Sequence, residues 1–163
     1  MPRLLVVHHS PSTNAARLSE AVAAGTVDPA VRDVEVVVRS ALTATAQDVL
    51  SADGYLLGTT ANFGYMSGAL KHFFDTVFLE AGGALSEDGS AGPGAGGRKP
   101  FGLWVHGRYD TTGATRSVLA IAGALPWRQA AGVLEVLGEV GEPEVESGYE
   151  LGATLAALVQ EPS

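Results

Sequence analysis

The sequence predicts an α/β fold in which helices cover both faces of a five-stranded parallel sheet of order 2-1-3-4-5. Three observations carry this. Leu4-Leu5-Val6-Val7 is a continuous apolar run, the pattern of a strand buried on both faces rather than on one. Short apolar runs then alternate with segments of helical period along the chain, which calls for right-handed crossovers between parallel strands. Finally, 163 residues with 46% hydrophobic and 17% charged side chains are enough for one well-buried core, so residues 1–163 are read as a single domain.

The elements follow in order. After the first strand, the polar stretch His8-His9-Ser10-Pro11-Ser12-Thr13-Asn14 offers helix caps. Ala15, Leu18, Ala21, Val22 and Gly25 then form one helical stripe that stops at glycine. Val34 to Val38 reads as the second strand, and a short helix from Thr45 to Ser51 turns Val49 and Leu50 inward. Gly54 to Gly58 is the third strand, followed by a loop from Thr59 to Met66. From Ser67, Leu70, Phe73, Phe74, Val77 and Phe78 keep the spacing of one helix face, the strongest helical signal in the chain. Residues 82–97 hold seven of the 21 glycines and Pro93, so they read as a loop, with Glu87-Asp88 in a solvated turn. Phe101 to Val105 is the fourth strand, and a helix bearing Val118, Ile121, Ala122 and Leu125 runs to Pro126. A fifth strand lies near Gly132 to Leu137, and Leu151, Leu155, Leu158 and Val159 mark a last helix.

Composition narrows the chemistry. Without cysteine there are no disulfides, thiolate metal sites or thiol nucleophiles, and four scattered histidines argue against a metal centre. The net charge is −8, and residues 129–163 contribute seven acids and no base. Such a chain is repelled by nucleic-acid phosphates and anionic membranes, so neither is an expected partner. No apolar run is long enough for a membrane span and no export signal is visible, so the cytoplasm is the expected compartment.

In a sheet of this order, ligands bind beyond the carboxyl ends of the strands, beside the point where the strand order reverses. That selects residues 9–15, 59–67 and 106–113. A phosphatase with a cysteine nucleophile is excluded by composition. A receiver domain requires an acidic pair near the first strand and an aspartate ending the third, where this chain has His8-His9 and Gly58-Thr59. The loops supply hydroxyls, an amide, glycines and aromatics instead, suited to a phosphate and a flat ring, which points to flavin mononucleotide (FMN).

Residues 58–75, Gly-Thr-Thr-Ala-Asn-Phe-Gly-Tyr-Met-Ser-Gly-Ala-Leu-Lys-His-Phe-Phe-Asp, resemble the G-T-P-T-R-F-G-N-M-S-G segment of the flavodoxin superfamily, above all its WrbA-type NAD(P)H:quinone oxidoreductases. The first loop is similar to the S-x-T-G-N-T phosphate loop of that superfamily at Ser10, Ser12 and Asn14. It departs from the loop with Thr13 in place of glycine and Ala15 in place of threonine. Pro11 after Ser10 resembles the start of NADPH-dependent FMN reductases. The resemblance implies a flavodoxin-like three-layer sandwich.

It also implies roles. Ser10, Ser12, Thr13, Asn14 and Ala15 would hold the FMN phosphate through hydroxyls and helix N-terminal amides, the alternative for Ser12 or Thr13 being an ordinary helix cap. Arg17 is read as solvated. Thr60, Ala61, Asn62, Phe63 and Gly64 would run along the flavin edge, Gly64 allowing close approach of the chain. Phe63 lies beside the ring, and Tyr65 is a rim residue or an oligomer contact. His106, Gly107, Arg108 and Tyr109 would form the opposite edge, with Tyr109 stacking and Arg108 meeting reduced flavin or a nicotinamide phosphate. His106 alternatively satisfies a strand end. Asp110 and Thr111 read as caps. No catalytic acid, base or metal ligand is assigned, because the flavin carries the electrons.

Two functional classes follow, with a third behind them, and the first is preferred because residues 58–75 resemble reductases more than carriers. One is an NAD(P)H-dependent flavin or quinone reductase passing hydride through FMN N5, with NAD(P)H as co-substrate and a quinone or flavin as acceptor. The second is a flavodoxin-type carrier whose partner is a basic redox protein drawn to the acidic run from Glu139 to Glu146. The third is a flavin-free interaction domain. A homo-oligomer is compatible with each.

Overall fold

The computed structural model describes residues 1–82 and 98–160. The glycine-rich stretch at residues 83–97, including Glu87-Asp88, lies outside the described residues.

The strands are β1 (Arg3–His8), β2 (Glu35–Ser40), β3 (Gly54–Asn62), β4 (Tyr65–Met66), β5 (Pro100–Gly107), β6 (Arg128–Gln129) and β7 (Leu134–Leu137). The helices are α1 (Thr13–Thr26), α2 (Ala46–Leu50), α3 (Gly68–Val77), α4 (Thr112–Ala124) and α5 (Glu142–Gln160). The sheet runs β2-β1-β3-β5, and its far edge is supplied twice over: β6 pairs with Pro100 and Phe101, and β7 with Trp104 to Gly107, both parallel to β5. The order expected from sequence, 2-1-3-4-5, is therefore present, with β4 and β6 as two-residue additions to the five strands foreseen.

Alternation along the strands sorts the core into two layers. Leu5, Val7, Tyr55, Leu57, Leu103 and Val105 pack on one face with Phe73 and Phe74 of α3 and Val118 of α4. Leu4, Val6, Leu56 and Trp104 pack on the other with Leu18 and Val22 of α1 and Leu151 and Leu155 of α5. This is a three-layer α/β/α sandwich. The helical stripes at Ala15–Gly25 and Leu70–Val77 are buried as their spacing requires, and Phe78 is partly buried against the core.

Several boundaries move. β3 continues to Asn62 where a loop was expected, because Thr59 and Thr60 pair with Val105 and His106 while Ala61 and Asn62 fold back onto Met66 and Tyr65. Threonine suits a pleated strand as well as a loop, so composition alone misplaced the strand end. β5 likewise runs through His106 and Gly107. Leu50 faces solvent, 52% exposed, because the five-residue helix turns Ala46 and Val49, three positions apart, inward and leaves position 50 off that face. The last helix begins at Glu142, so the acidic run is largely its first turns, where carboxylates complement the helix dipole.

Gly25 does not stop α1, which runs to Thr26. It clears α5: a Cβ on Gly25 would lie 2.0 Å from the Tyr149 carbonyl oxygen, and one on Gly152 would lie 2.0 Å from that of Val22. The two helices cross backbone to backbone. Among the described residues, no helix is long and apolar enough to cross a membrane.

Candidate functional site

The loops beyond β1, β3, β5 and β7 meet around one cleft of about 860 Å³. Its wall contains Ser12 and Asn14, Thr60, Ala61, Asn62, Phe63 and Gly64, and His106, Gly107, Arg108 and Tyr109, so the three sequence-selected segments converge. Ser10, Thr13 and Ala15, expected in the same group, do not line it. Ser10 hydroxyl is 2.8 Å from His8 Nδ1, and Ala15 is buried beneath the loop at 3% exposure.

Ser12 is the N-cap of α1, its hydroxyl accepting from the Ala15 N–H at 3.2 Å. That is the alternative weighed from sequence. The cap leaves the N–H groups of Thr13 and Asn14 in the first turn, where a helix has no internal acceptors for them. Asn14 Oδ1 accepts from Val140 N–H at 3.1 Å, and the Arg17 guanidinium donates to the Val140 carbonyl, so Arg17 fastens α1 to the loop after β7. Below the loop, burial pushes the His8 imidazole below its ordinary value of 6.5, with the charge of His9 adding to the effect.

The second wall is the β3–β4 hairpin. Its root is fixed by Thr59, whose hydroxyl accepts from Ser67 N–H at 2.9 Å and lies 3.1 Å from Ser67 Oγ. Ser67 in turn caps α3, accepting from Leu70 N–H. At the tip, Phe63 (φ 52°) and Gly64 (φ 79°) both adopt the left-handed conformation, the signature of a tight hairpin turn. Few non-glycine residues take this conformation, and here one stands in the cleft wall with its aromatic ring fully exposed. A Cβ on Gly64 would meet nothing within 4 Å, so the backbone conformation, rather than space inside the protein, is what calls for glycine.

On the third wall, His106 lies at the strand end as the alternative reading had it: its Nε2 is 2.7 Å from the Gly138 carbonyl, an acceptor, so the ring donates there. Tyr109 is 84% exposed, and Arg108 is exposed beside it. Asp110 accepts from Thr112 N–H at 3.0 Å, a cap-like contact that, with the Thr112 side chain, holds its carboxyl below the ordinary value. Thr111 makes no side-chain cap. Its buried hydroxyl donates to Glu135.

Gly138, Glu139 and Asp110 also line the cleft. The sequence places Glu139 on this rim as part of the acidic run without assigning it to the site, reads Asp110 as a cap, and gives no role to Gly138, although it follows the carboxyl end of β7, the kind of position that selected the other loops. The cleft wall thus carries one guanidinium, Arg108, against two carboxylates, Asp110 and Glu139.

No family model matches the chain. A stretch of 85 residues is 33% identical to a flavodoxin from Aquifex aeolicus (strain VF5), covering 52% of this chain and 45% of that protein, so the match spans less than half of the relative's length. Among solved structures, a flavodoxin from the domain Archaea superposes with a TM-score of 0.79 at 16% identity, over 98% of this chain and 99% of that one. A WrbA-like flavodoxin from Agrobacterium tumefaciens gives 0.71 at 17% identity, over 98% of each chain. At such identities the likeness is one of fold.

Proposed function

We propose that the chain, with its flavodoxin-like fold and its partial match to a flavodoxin, is a member of the flavodoxin superfamily and an FMN-binding redox protein. One observation carries this reading: a single cleft joins the N-terminus of a 14-residue helix to two exposed aromatic side chains, Phe63 and Tyr109. The N–H group of Asn14, in the first turn of the helix whose start lines the cleft, would bind the phosphate, favoured by the helix dipole and needing no basic residue. The backbone from Thr60 to Gly64 would follow the ring edge, and Phe63 and Tyr109 would flank the ring and exclude water from it. FMN supplies reversible one- and two-electron transfer at that position. The donor set fits such a group: amides for an anion, apolar walls for a flat heterocycle, and no side-chain acid or base required.

The charge of the cleft wall supports one of the two redox readings over the other. Asp110 and Glu139 in the wall, with Glu142 and Glu144 in the first turn of α5, outnumber the one guanidinium of the wall, Arg108, and would slow the approach of anionic NADPH while attracting a basic protein. That favours an electron carrier between larger redox proteins. The reductase reading, with NAD(P)H as co-substrate and a quinone or flavin as acceptor, rests on the Phe63-Gly64-Tyr65-Met66-Ser67-Gly68 segment. Steady-state oxidation of NADH and NADPH by the FMN-loaded protein with added quinone tests the choice. A carrier gives no turnover above free FMN yet reduces a basic redox protein at a rate that falls as salt rises. Turnover well above free FMN establishes the reductase instead.

A further inference from the structure

We propose that Gly113 is a positioning residue for the cleft: having no side chain, it lets the Gly64 carbonyl seat against the first turn of α4 and so sets where the Phe63–Gly64–Tyr65 turn stands. A Cβ built on Gly113 would lie 1.9 Å from Gly64 O and 2.9 Å from its carbonyl carbon. The obstructed atoms are backbone, so no side-chain rotation relieves the overlap.

Which partner would yield follows from how each is anchored. α4 is held to β7, because Glu135 accepts from the hydroxyl of buried Thr111 and from that of Thr115 at 3.0 Å. The hairpin root is held by the Thr59–Ser67 bonds, but its tip, Asn62 to Tyr65, is exposed. Any side chain at position 113 therefore displaces the tip rather than the helix. Helix propensity alone would favour alanine over glycine in the first turn of α4, so the local and tertiary demands oppose each other at this residue. Gly123 in the same helix is exposed, and a Cβ there meets nothing within 4 Å.

The effect on flavin binding rests on the function proposed above, whereas the effect on the hairpin does not. The test compares Gly113→Ala with Gly123→Ala. In the apoprotein, the backbone amide resonances of Phe63, Gly64 and Tyr65 should move in Gly113→Ala, with those of β1 and β2 in place, and should stay unmoved in Gly123→Ala. With FMN added, Gly113→Ala should bind about tenfold or more weakly, the scale of one lost polar contact, and shift the flavin midpoint potential, while Gly123→Ala matches the parent in both. Unmoved hairpin resonances in Gly113→Ala overturn the proposal. Moved resonances in a parent protein that takes up no FMN uphold the positioning role and reject the cofactor reading alone.

Discussion

Asn14 accepts a hydrogen bond from the backbone N–H of Val140 at 3.1 Å, across 126 positions of sequence, and so fastens the helix start beside β1 to the loop after β7. The Arg17 guanidinium grips the carbonyl of the same residue. Val140 is fully buried, which makes its N–H costly to leave without an acceptor. Asn14→Leu should therefore lower apoprotein stability by about 1–3 kcal/mol, read as a lower urea midpoint at unchanged slope. Asn14→Asp keeps the acceptor and should stay near the parent in stability, while its charge beside the proposed phosphate site weakens FMN binding. Equal midpoints for Asn14→Leu and the parent would remove this fastening from the account.

The α1–α5 crossing gives a prediction of opposite sign to helix propensity. Alanine exceeds glycine by about 1 kcal/mol in a helix interior, but a methyl on Gly152 would sit 2.0 Å from the Val22 carbonyl oxygen. Gly152→Ala should destabilise by about 1–3 kcal/mol, as overpacked cores do. A thermal melt that rises instead would show that the helices separate without cost.

His8, whose Nδ1 lies 2.8 Å from Ser10 Oγ, links the loop after β1 to pH. Its pKa is lowered in the folded protein, so the unfolded chain takes up a proton first as pH falls through 6.5. The neutral-histidine contribution is therefore whole above 6.5 and declines on acidification until the folded-state pKa is passed. Apoprotein stability should drop more between about pH 7.5 and 5.5 in the parent than in His8→Gln, in denaturant titrations at each pH. Identical drops would assign the acid sensitivity to other groups.

These tests bear unevenly on what the sequence could show. The buried faces of α1 and α3 were legible because Leu18, Val22, Leu70, Phe73 and Phe74 fall at helical spacing, and the alternation of elements gave the parallel sheet, its order being the common one for a single doubly wound domain of this size. The hairpin was not, since Thr59 and Thr60 have the composition of a loop and the long-range pairs with Val105 and His106 make them strand. Nor was the duty of Gly25, Gly113 and Gly152, each fixed by a backbone approaching from a distant element. Of the candidate site, the three converging loops were foreseen. Glu139 was placed on the rim beyond the last strand but read as a charge that steers a partner rather than as a wall residue, and Gly138 before it carries no side chain to signal a role.

Phe63 and Tyr109 touch solvent more than protein, so their removal should separate binding from folding. Phe63→Ala and Tyr109→Ala should each leave apoprotein stability within about 0.5 kcal/mol. Each should weaken FMN binding by about 1–3 kcal/mol, the cost of removing an aromatic that stacks on a flat heterocycle. Stability losses as large as the binding losses would mark these rings as structural.

Whether the cleft takes up FMN is read by titrating the apoprotein into FMN while following flavin fluorescence. An FMN site in this cleft gives saturable quenching at one flavin per chain, with a dissociation constant of about 1 μM or tighter, some 8 kcal/mol of binding free energy. Fluorescence that stays at the level of free FMN, with the protein folded and in excess, would contradict it.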